Sequence, residues 1–398
     1  MKPPAGGLAS TDMKTHHKVL MTLDPLGGVW TYGMELTRAL GSLGVEVILA
    51  SMGGPLSDAQ RQMVACLPNA TLHESVYRLE WMDEPWRDVD KAGEWLLALA
   101  ERHQPDFIHL NGYVHAALPW QRPVCVVAHS CVCSWWKSLF GTRPPAQFNT
   151  YRDRVQEGLS AAHRIIAPSG AMLRALSGLW EIDCGRTGVI WNARDPDRFE
   201  PQRKSPVIFA AGRLWDPAKN IELLERIAPD LAWDVIVAGQ ARSPSGVEPS
   251  ICNLYRIGSI GPEEMSRQLS RSAIFASPAR YEPFGLSVLE AALSGCALVL
   301  SDLPTFHELW GDAAVYASPH DPDQWKTALE RLISNPFRRQ RLGVAARHHA
   351  LRYAPEAFAR GYLDAYRTAR AVFETSDAST FPPQAEAPAA DHQLSSSL

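Results

Sequence analysis

Two glutamates, Glu282 and Glu290, stand on either side of a sharp change in the sequence pattern. Pro283 and Gly285 predict an irregular loop after Glu282, and leucines at helical spacing then predict a helix that carries Glu290 about two turns along. The first backbone N–H groups of such a helix are free and positively polarised, so the segment 284–287 is suited to a phosphate or a sugar hydroxyl. For an isolated acidic pair, a surface loop and a helix with a solvated glutamate is the alternative interpretation.

Two cations, Arg213 and Lys219, follow the apolar segment 207–211, which has the composition of a buried strand. In a parallel sheet the carboxyl ends of the strands form the edge where ligands bind. Two cations at that edge could hold the phosphates of a diphosphate. Taken alone, the pair could equally be two solvated surface residues.

A pair of glycines, Gly27 and Gly28, follows the first predicted strand and opens a predicted helix. Backbone without side chains can approach an anion closely at such a turn. A tight strand-to-helix connection would look the same. The sequence shows neither a full Gly-x-Gly-x-x-Gly pattern nor a phosphate loop that ends in Gly-Lys-Ser/Thr, which counts against a dehydrogenase or a nucleoside triphosphatase.

Polar side chains also follow two strands of the N-terminal half. His129 ends the apolar run 124–128, although a single histidine at a strand end is more often structural. Asn111 and Tyr113 lie just past the predicted strand 107–110 and are candidates for the cleft, whereas His109 lies inside that strand and is predicted to be packed.

Strand-like segments alternate with helix-length segments along the chain, which predicts two parallel-sheet α/β domains. A polar stretch with two prolines and no periodic face separates the two blocks and is interpreted as a linker. The predicted organisation is a disordered N-terminus (1–16), an N-terminal Rossmann-like domain (17–192), a linker (193–205), a C-terminal Rossmann-like domain (206–354), a long helix (355–375) and a disordered tail (376–398) rich in Ser, Ala and Pro.

The motif from Glu282 to Glu290, with Pro-Phe-Gly-Leu inside it, resembles the signature of the retaining glycosyltransferases with the GT-B fold, of the family 4 and group 1 type. Gly-Arg-Leu at 212–214, Lys219-Asn220 and the glycine turn resemble the same family, and the similarity extends from about Val19 to Tyr366. One departure is Asn192-Ala193, where many members have Asn-Gly, and this puts the local turn in doubt.

The resemblance implies a GT-B fold in which two Rossmann-like domains face a cleft and a C-terminal helix crosses back to the N-terminal domain. It implies that Arg213 and Lys219 clamp the donor diphosphate, that Glu282 holds hydroxyls of the transferred sugar and that Glu290 holds the ribose. Implied catalytic residues are Glu282, Arg213, Lys219 and His129, and implied donor-binding residues are Gly27, Gly28, Phe284, Gly285, Leu286, Ser287 and Glu290.

The acceptor is expected to bind mainly to the N-terminal domain, which is rich in tryptophan. Trp135 joins Asn111 and Tyr113 as an acceptor candidate because aromatic rings can stack on sugars, although core packing is the commoner use of any single Trp. The function implied is transfer of a hexose-type sugar from a UDP-, GDP- or ADP-linked donor to a saccharide or lipid-linked acceptor, in envelope or exopolysaccharide synthesis. A nucleotide-sugar epimerase of similar fold and a non-catalytic sugar-nucleotide-binding subunit are the alternatives.

Composition limits the other classes. The 398 residues are 46% apolar and 21% charged with a net charge of −4, and no basic run suggests nucleic acid. Seven cysteines without a paired framework favour a reducing compartment, and no segment looks like a signal peptide or a membrane span. The expected location is therefore cytoplasmic, with peripheral contact at the inner face of the membrane as an option.

No metal or other cofactor is expected. Asp195-Pro196-Asp197 and Asp321-Pro322-Asp323 match the Asp-x-Asp pattern of metal-dependent glycosyltransferases, but turns and helix caps explain them better. Cys131 and Cys133 lack a second pair, so packed thiols are favoured over a metal or redox site.

Overall fold

The computed structural model describes residues 17–243, 246 and 248–378. These residues form two parallel β-sheets, each flanked by helices, which confirms the predicted fold class. The predicted disordered segment 1–16 and positions 379–398 of the predicted tail lie outside the described residues.

The N-terminal sheet has seven described strands, and its neighbouring strands run parallel. The strands are β1 (Lys18–Leu23), β2 (Glu46–Ser51), β3 (Ala70–Glu74), β4 (Phe107–Leu110), β5 (Val124–Val127), β6 (Arg164–Ala167) and β7 (Thr187–Val189). They lie in the order β3-β2-β1-β4-β5-β6-β7, so the direction of winding reverses between β1 and β4. Ligands bind at such a reversal in open α/β sheets, and Gly27, Gly28 and Asn111 follow these two strands.

Helices cover both faces of this sheet. They are α1 (Gly28–Gly41), α2 (Asp58–Ala65), α3 (Trp86–His103), α4 (Val132–Phe140), α5 (Asn149–Ala161) and α6 (Gly170–Ser177). Because both faces are covered, the central strands β4 and β5 are buried at every position, as their mainly apolar sequences predict.

The C-terminal sheet repeats this plan with six described strands in the order β10-β9-β8-β11-β12-β13. The strands are β8 (Ser205–Ala211), β9 (Asp234–Ala238), β10 (Tyr255–Arg256), β11 (Ser272–Ser277), β12 (Ala297–Ser301) and β13 (Ala314–Ala317). The accompanying helices are α7 (Ile221–Ile227), α8 (Pro262–Arg271), α9 (Leu286–Leu293), α10 (Pro304–Trp310), α11 (Pro322–Ile333) and α12 (Pro336–Ala350). The cations Arg213 and Lys219 follow β8, which is central in the sheet.

A last helix, α13 (Pro355–Ala378), returns to the N-terminal domain, as the resemblance implied. Its side chains Phe358, Tyr362 and Tyr366 are at most 2% exposed and pack with Tyr32 of α1 in one apolar cluster. The helix is longer than predicted and includes 376–378, so the predicted boundary of the disordered tail at 376 was wrong for these three residues.

The segments 107–110, 124–128 and 207–211 form β4, β5 and β8 to within two residues of their expected ends, and the helix expected after Gly285 is α9. The segments α2, β3, α4, α6, β7, β10 and α10 were not predicted. Ala193 has no positive φ and is 2% exposed, so the missing glycine of the Asn-Gly pattern leaves this turn unstrained.

Candidate active site

The predicted cations and the first glutamate meet in the C-terminal domain. Lys219 Nζ lies 2.6 Å from Glu282 Oε2, and the two side chains are 24% and 11% exposed. Arg213 is more open, with 43% of its side chain exposed, and its Nη2 lies 2.6 Å from Asp216 Oδ2. The loop after β8 and the loop after β11 therefore bring three predicted residues to one edge of the sheet.

Asp216 belongs to this site although it was not predicted. It is 3% exposed, and its carboxylate also accepts the backbone N–H of Ala218 at 2.9 Å. Because a buried carboxylate is held by fixed partners, it can fix the position of the Arg213 guanidinium. The only signal in the sequence was an acidic residue three positions after the arginine, which is common on protein surfaces.

The glycine turn of the N-terminal domain faces this edge. A Cβ placed on Gly27 would lie 3.9 Å from Arg213 Nη1, and one placed on Gly28 would lie 3.7 Å from Leu286 Cδ1. Gly27 has a φ of 78°, a conformation that glycine adopts without strain. The first turn of α1 thus lies opposite the first turn of α9 and beside a cation.

Both of these helix starts lack a side-chain cap. Gly27 precedes α1 and Gly285, with a φ of 91°, precedes α9, and neither can supply a capping oxygen. The first N–H groups of a helix have no partner within it and carry partial positive charge. Leu286 and Ser287 are half-buried at the start of α9, whereas the ring of Phe284 is 3% exposed and packs in the core, so only its backbone is available to a ligand.

Glu290 lies one helical turn after Leu286, on the same face of α9. It is 8% exposed, and its Oε1 lies 2.8 Å from Nε of Arg194, a linker residue. The Nη1 of Arg194 also donates a hydrogen bond to Glu35 Oε2 of α1 at 2.6 Å. Burial raises the pKa of Glu290, the Arg194 charge opposes this rise, and the nearby Glu35 adds to it.

The histidines of the N-terminal domain form a hydrogen-bonded network. His129 Nε2 lies 2.8 Å from Asn111 Oδ1, and His109 Nε2 lies 3.2 Å from the same oxygen. Since the amide oxygen only accepts, each Nε2 carries a proton, and Tyr366 of α13 donates to His109 Nδ1 at 2.8 Å. Burial lowers the pKa of His109 and of His129 to about 3, so both imidazoles are neutral at ordinary pH.

This network changes the interpretation of Asn111. Its Nδ2 donates to the carbonyl of Thr22 at 2.6 Å while Oδ1 accepts from the histidines. Both ends of the amide are therefore occupied within the protein, and Asn111 serves to orient His129 across the end of β4 and β5.

Two other acceptor candidates are also held by protein contacts. Tyr113 is 3% exposed in the N-terminal core and donates to the Ser130 carbonyl at 2.9 Å, so its hydroxyl is held by a contact within the domain. Trp135 is half-buried, and its Nε1 donates to Asp216 Oδ1 at 3.3 Å, which places it at the contact between the two domains.

A second unpredicted residue is Asp24, the first residue after β1. It is partly buried, and its Oδ1 accepts the backbone N–H of Leu26 at 2.7 Å. Burial raises the pKa of Asp24 to about 7, although the charge of Arg213 acts in the opposite direction. This carboxyl group therefore titrates near neutral pH beside the glycine turn. Its position at the carboxyl end of a central strand was visible in the sequence.

Family models match both halves of the chain. The model described as Glycosyltransferase Family 4 matches residues 26–198, and the model described as Glycosyl transferases group 1 matches residues 205–335. The chain belongs to this family of GT-B glycosyltransferases.

Curated relatives of this chain carry related names. A D-inositol 3-phosphate glycosyltransferase from Nocardioides sp. is 27% identical over 54% of this chain and 56% of its own. One from Thermomonospora curvata is 25% identical over 89% of this chain and 94% of its own. The O-antigen chain mannosyltransferase RfbU of Salmonella typhimurium is 21% identical over 56% of this chain and 64% of its own. The chain thus spans less than two thirds of the length of two of these relatives.

Solved structures show the same fold. Sucrose-phosphate synthase from Thermosynechococcus elongatus matches with a TM-score of 0.72 and 17% identity over 90% of this chain and 100% of that chain. HepE of Anabaena, in complex with UDP-glucose, matches with a TM-score of 0.68 and 15% identity over 91% and 100% of the two chains.

The remaining motifs of the chain have structural roles. Asp195 and Asp321 accept backbone N–H groups two and three residues ahead, as turns and caps do, which confirms that expectation. Cys131 and Cys133 are free, buried thiols, also as expected. Within residues 17–243, 246 and 248–378, no helix is both long and apolar enough to cross a membrane.

Proposed function

We propose that this glycosyltransferase moves a hexose-type sugar from a nucleotide-sugar donor to a saccharide or lipid-linked acceptor, with retention of configuration at the anomeric carbon. One observation carries the proposal. The uncapped starts of α1 and α9 face each other at the cleft, and the cations Arg213 and Lys219 lie at the same edge. Free N–H groups and fixed cations are what a diphosphate requires.

The diphosphate gains negative charge as it leaves the sugar. Arg213, Lys219 and the α9 amides are groups whose positions are set before reaction, so they can stabilise this charge without reorganisation. We therefore propose that transfer requires no divalent ion. An acceptor hydroxyl that attacks from the face of the departing diphosphate can give its proton to a phosphate oxygen, and no protein nucleophile is then needed.

The two glutamates would bind different parts of the donor. Glu282, held by Lys219, would accept hydroxyls of the transferred sugar, and Glu290 would accept hydroxyls of the ribose. His129 would contact the sugar as a neutral imidazole, because its proton on Nε2 is committed to Asn111. Closure of the domains around the donor would exclude water.

The donor nucleotide is proposed to be UDP, GDP or ADP. HepE, a structural neighbour, binds UDP-glucose, which favours UDP as the first candidate. The names of the relatives include an inositol phosphate glycosyltransferase and an O-antigen mannosyltransferase, and these favour a role in envelope or exopolysaccharide glycans. Such a role would place the protein in the cytoplasm, with peripheral contact at the membrane where the acceptor is lipid-linked.

The test begins with thermal shifts of the full chain in UDP-, GDP- and ADP-sugars, since a ligand of the folded state raises the melting temperature. With the donor found, release of nucleoside diphosphate is measured in the presence of candidate saccharide acceptors, and NMR gives the anomeric configuration of the transferred sugar in the product. The variant Arg213→Ala/Lys219→Ala should lose at least about 1000-fold in rate, because two charge-stabilising groups are removed. The matched control is Arg267→Ala/Lys326→Ala, two cations paired at the surface of the same domain.

The outcomes separate the alternatives. An epimerase would convert the donor to its epimer without an acceptor, and a binding subunit would show a thermal shift without diphosphate release. Inversion at the anomeric carbon would refute the retaining mechanism, and wild-type rates in the Arg213/Lys219 variant would falsify the proposed diphosphate site.

A further inference from the structure

Arg194 is a buried cation at the junction of both domains and the linker. Its side chain is 6% exposed and lies between two buried carboxylates, Glu35 of the N-terminal domain and Glu290 of the C-terminal domain. The distances are 2.6 Å from Nη1 to Glu35 Oε2 and 2.8 Å from Nε to Glu290 Oε1. Removal of a guanidinium from water is costly unless it is paired with an anion. The buried position of Arg194 is therefore stabilised by both carboxylates.

The two contacts differ in kind. The contact with Glu35 is an aligned hydrogen bond, whereas the contact with Glu290 is a close ion pair whose Nε–H is less well aligned. Within the described part of the chain, Arg194 is the side-chain donor that lies close to the Glu290 carboxylate. A buried carboxylate has room for about four hydrogen bonds, so this one retains its capacity to accept from a ligand.

The position of Glu290 on α9 favours a ligand in the cleft. It shares a helix face with Leu286, whose side chain contacts the glycine turn at Gly28. Its ion-pair partner reaches α1, the helix that begins at this turn. The carboxylate is thus enclosed between the two helices whose starts face the proposed diphosphate site.

We propose that Arg194 is a positioning residue, anchored by Glu35, that holds the Glu290 carboxylate ready to accept two vicinal hydroxyls of the donor ribose. The inference rests on the proposed function, since it assumes that Glu290 contacts ribose. Vicinal hydroxyls that donate one bond to each carboxylate oxygen bind best to the ionised form, because protonation turns one of the two oxygens into a donor.

Charges around the group set its ionisation. Burial raises the pKa of Glu290, Glu35 raises it further, and Arg194 lowers it. Arg38 lies 3.6 Å from the other oxygen of Glu35, and the charges of Arg198 and Asp195 act on Arg38 in turn. Loss of Arg194 therefore favours protonation of Glu290, and loss of the Glu35 charge favours its ionisation.

The experiment measures discrimination between nucleotides by titration calorimetry with the full chain. UDP, GDP and ADP are compared, and the tightest is measured against its 2′-deoxy and 3′-deoxy forms from pH 5.5 to 8.5. The quantity compared is the ratio of the dissociation constants of the deoxy and the parent nucleotide. Because both carry the same diphosphate, its ionisation affects both constants equally and cancels in the ratio. A hydrogen bond to a charged group contributes about 1.5–3 kcal/mol, so the wild-type ratio is expected to be at least about tenfold.

The variants move this ratio in opposite directions. Arg194→Met should reduce it to about threefold or less at pH 6, with partial recovery at pH 8.5, and Arg194→Lys should retain part of it. In Glu35→Gln, Glu290 should stay ionised at lower pH than in the wild type. The ratio should therefore begin to fall at a lower pH in this variant. The matched control is Arg367→Met, the same substitution at an exposed arginine of α13 that is outside this charge network, and it should leave the ratio unchanged.

Failure of the inference and failure of the proposed function give different results. If wild type does not discriminate, or Glu290→Gln leaves the ratio unchanged, the ribose assignment is wrong. If Glu290→Gln abolishes discrimination while Arg194→Met keeps it at every pH, the role of Arg194 is overturned. Should Arg194→Met melt too low to be measured, Glu35→Gln decides, since an unshifted pH profile in that variant contradicts the proposal.

Discussion

The two sides of the cleft use polar residues in different ways. On the C-terminal side, Arg213 has 43% of its side chain exposed, and Lys219 and Glu282 pair with each other at the edge of the sheet. On the N-terminal side, Asn111 and Tyr113 are taken up by hydrogen bonds within the domain. A polar residue at the ligand edge of a parallel strand is therefore available to a ligand only when its neighbours leave its donors and acceptors free.

The largest effect expected from this difference is at Glu282. Glu282→Gln removes the charge beside Lys219 and should lower kcat/KM by about 100- to 1000-fold, as loss of one preorganised electrostatic group does. Tyr113→Phe on the opposite side should change kcat/KM less than threefold, and loss of its bond to Ser130 should cost about 1 kcal/mol of stability. Initial rates and urea unfolding measure both. Equal losses of activity in the two variants would remove the distinction between the two sides.

The sequence predicted the C-terminal side better because its site is contiguous. Glu282 to Glu290 is one loop and one helix, and local turn and helix signals alone determine its form. The N-terminal side depends on residues far apart in the chain. His109, for example, is fixed by Tyr366, 257 positions away, and no local pattern shows that contact.

The fold followed the same rule. The buried strands β1, β4 and β11 have mainly apolar sequences that predict them, whereas β3 lies at a sheet edge with no fully buried position and was missed. The ion pairs of Arg194 and Asp216 depend on how domains and loops meet, so composition and spacing could not predict them.

A smaller effect is expected at Asp216, which belongs to the C-terminal side but contacts Trp135 of the other. Asp216→Asn removes the charge that fixes Arg213 and should lower kcat/KM about tenfold, equivalent to about 1.4 kcal/mol. Asp230→Asn, which removes an exposed partner of Lys326, is the matched control and should have no effect. An unchanged or faster Asp216→Asn enzyme would mean that Arg213 needs no fixed partner.

The smallest effect expected is a change in the pH dependence of nucleotide binding. This effect would show that the N-terminal side carries a group that titrates near neutral pH. The pKa of Asp24 is raised to about 7, and that of His129 is lowered to about 3. Of these two groups, Asp24 is therefore the one that changes charge between pH 6 and 8. Ionised Asp24 competes with a diphosphate for Arg213, and nucleotide binding should therefore weaken several-fold as pH rises through 7. Asp24→Asn should remove this change, whereas His129→Asn should keep it.

The same group provides a second measurement on the unliganded protein. Because the pKa of Asp24 is higher in the folded state than its ordinary value of 3.8, the folded state holds the proton more tightly, and stability should fall as pH rises from about 4 to 7. Asp24→Asn should flatten this slope in melting experiments. If its slope matched that of the wild type, Asp24 would ionise at its ordinary pKa, and it would carry a constant negative charge near neutral pH instead of titrating there.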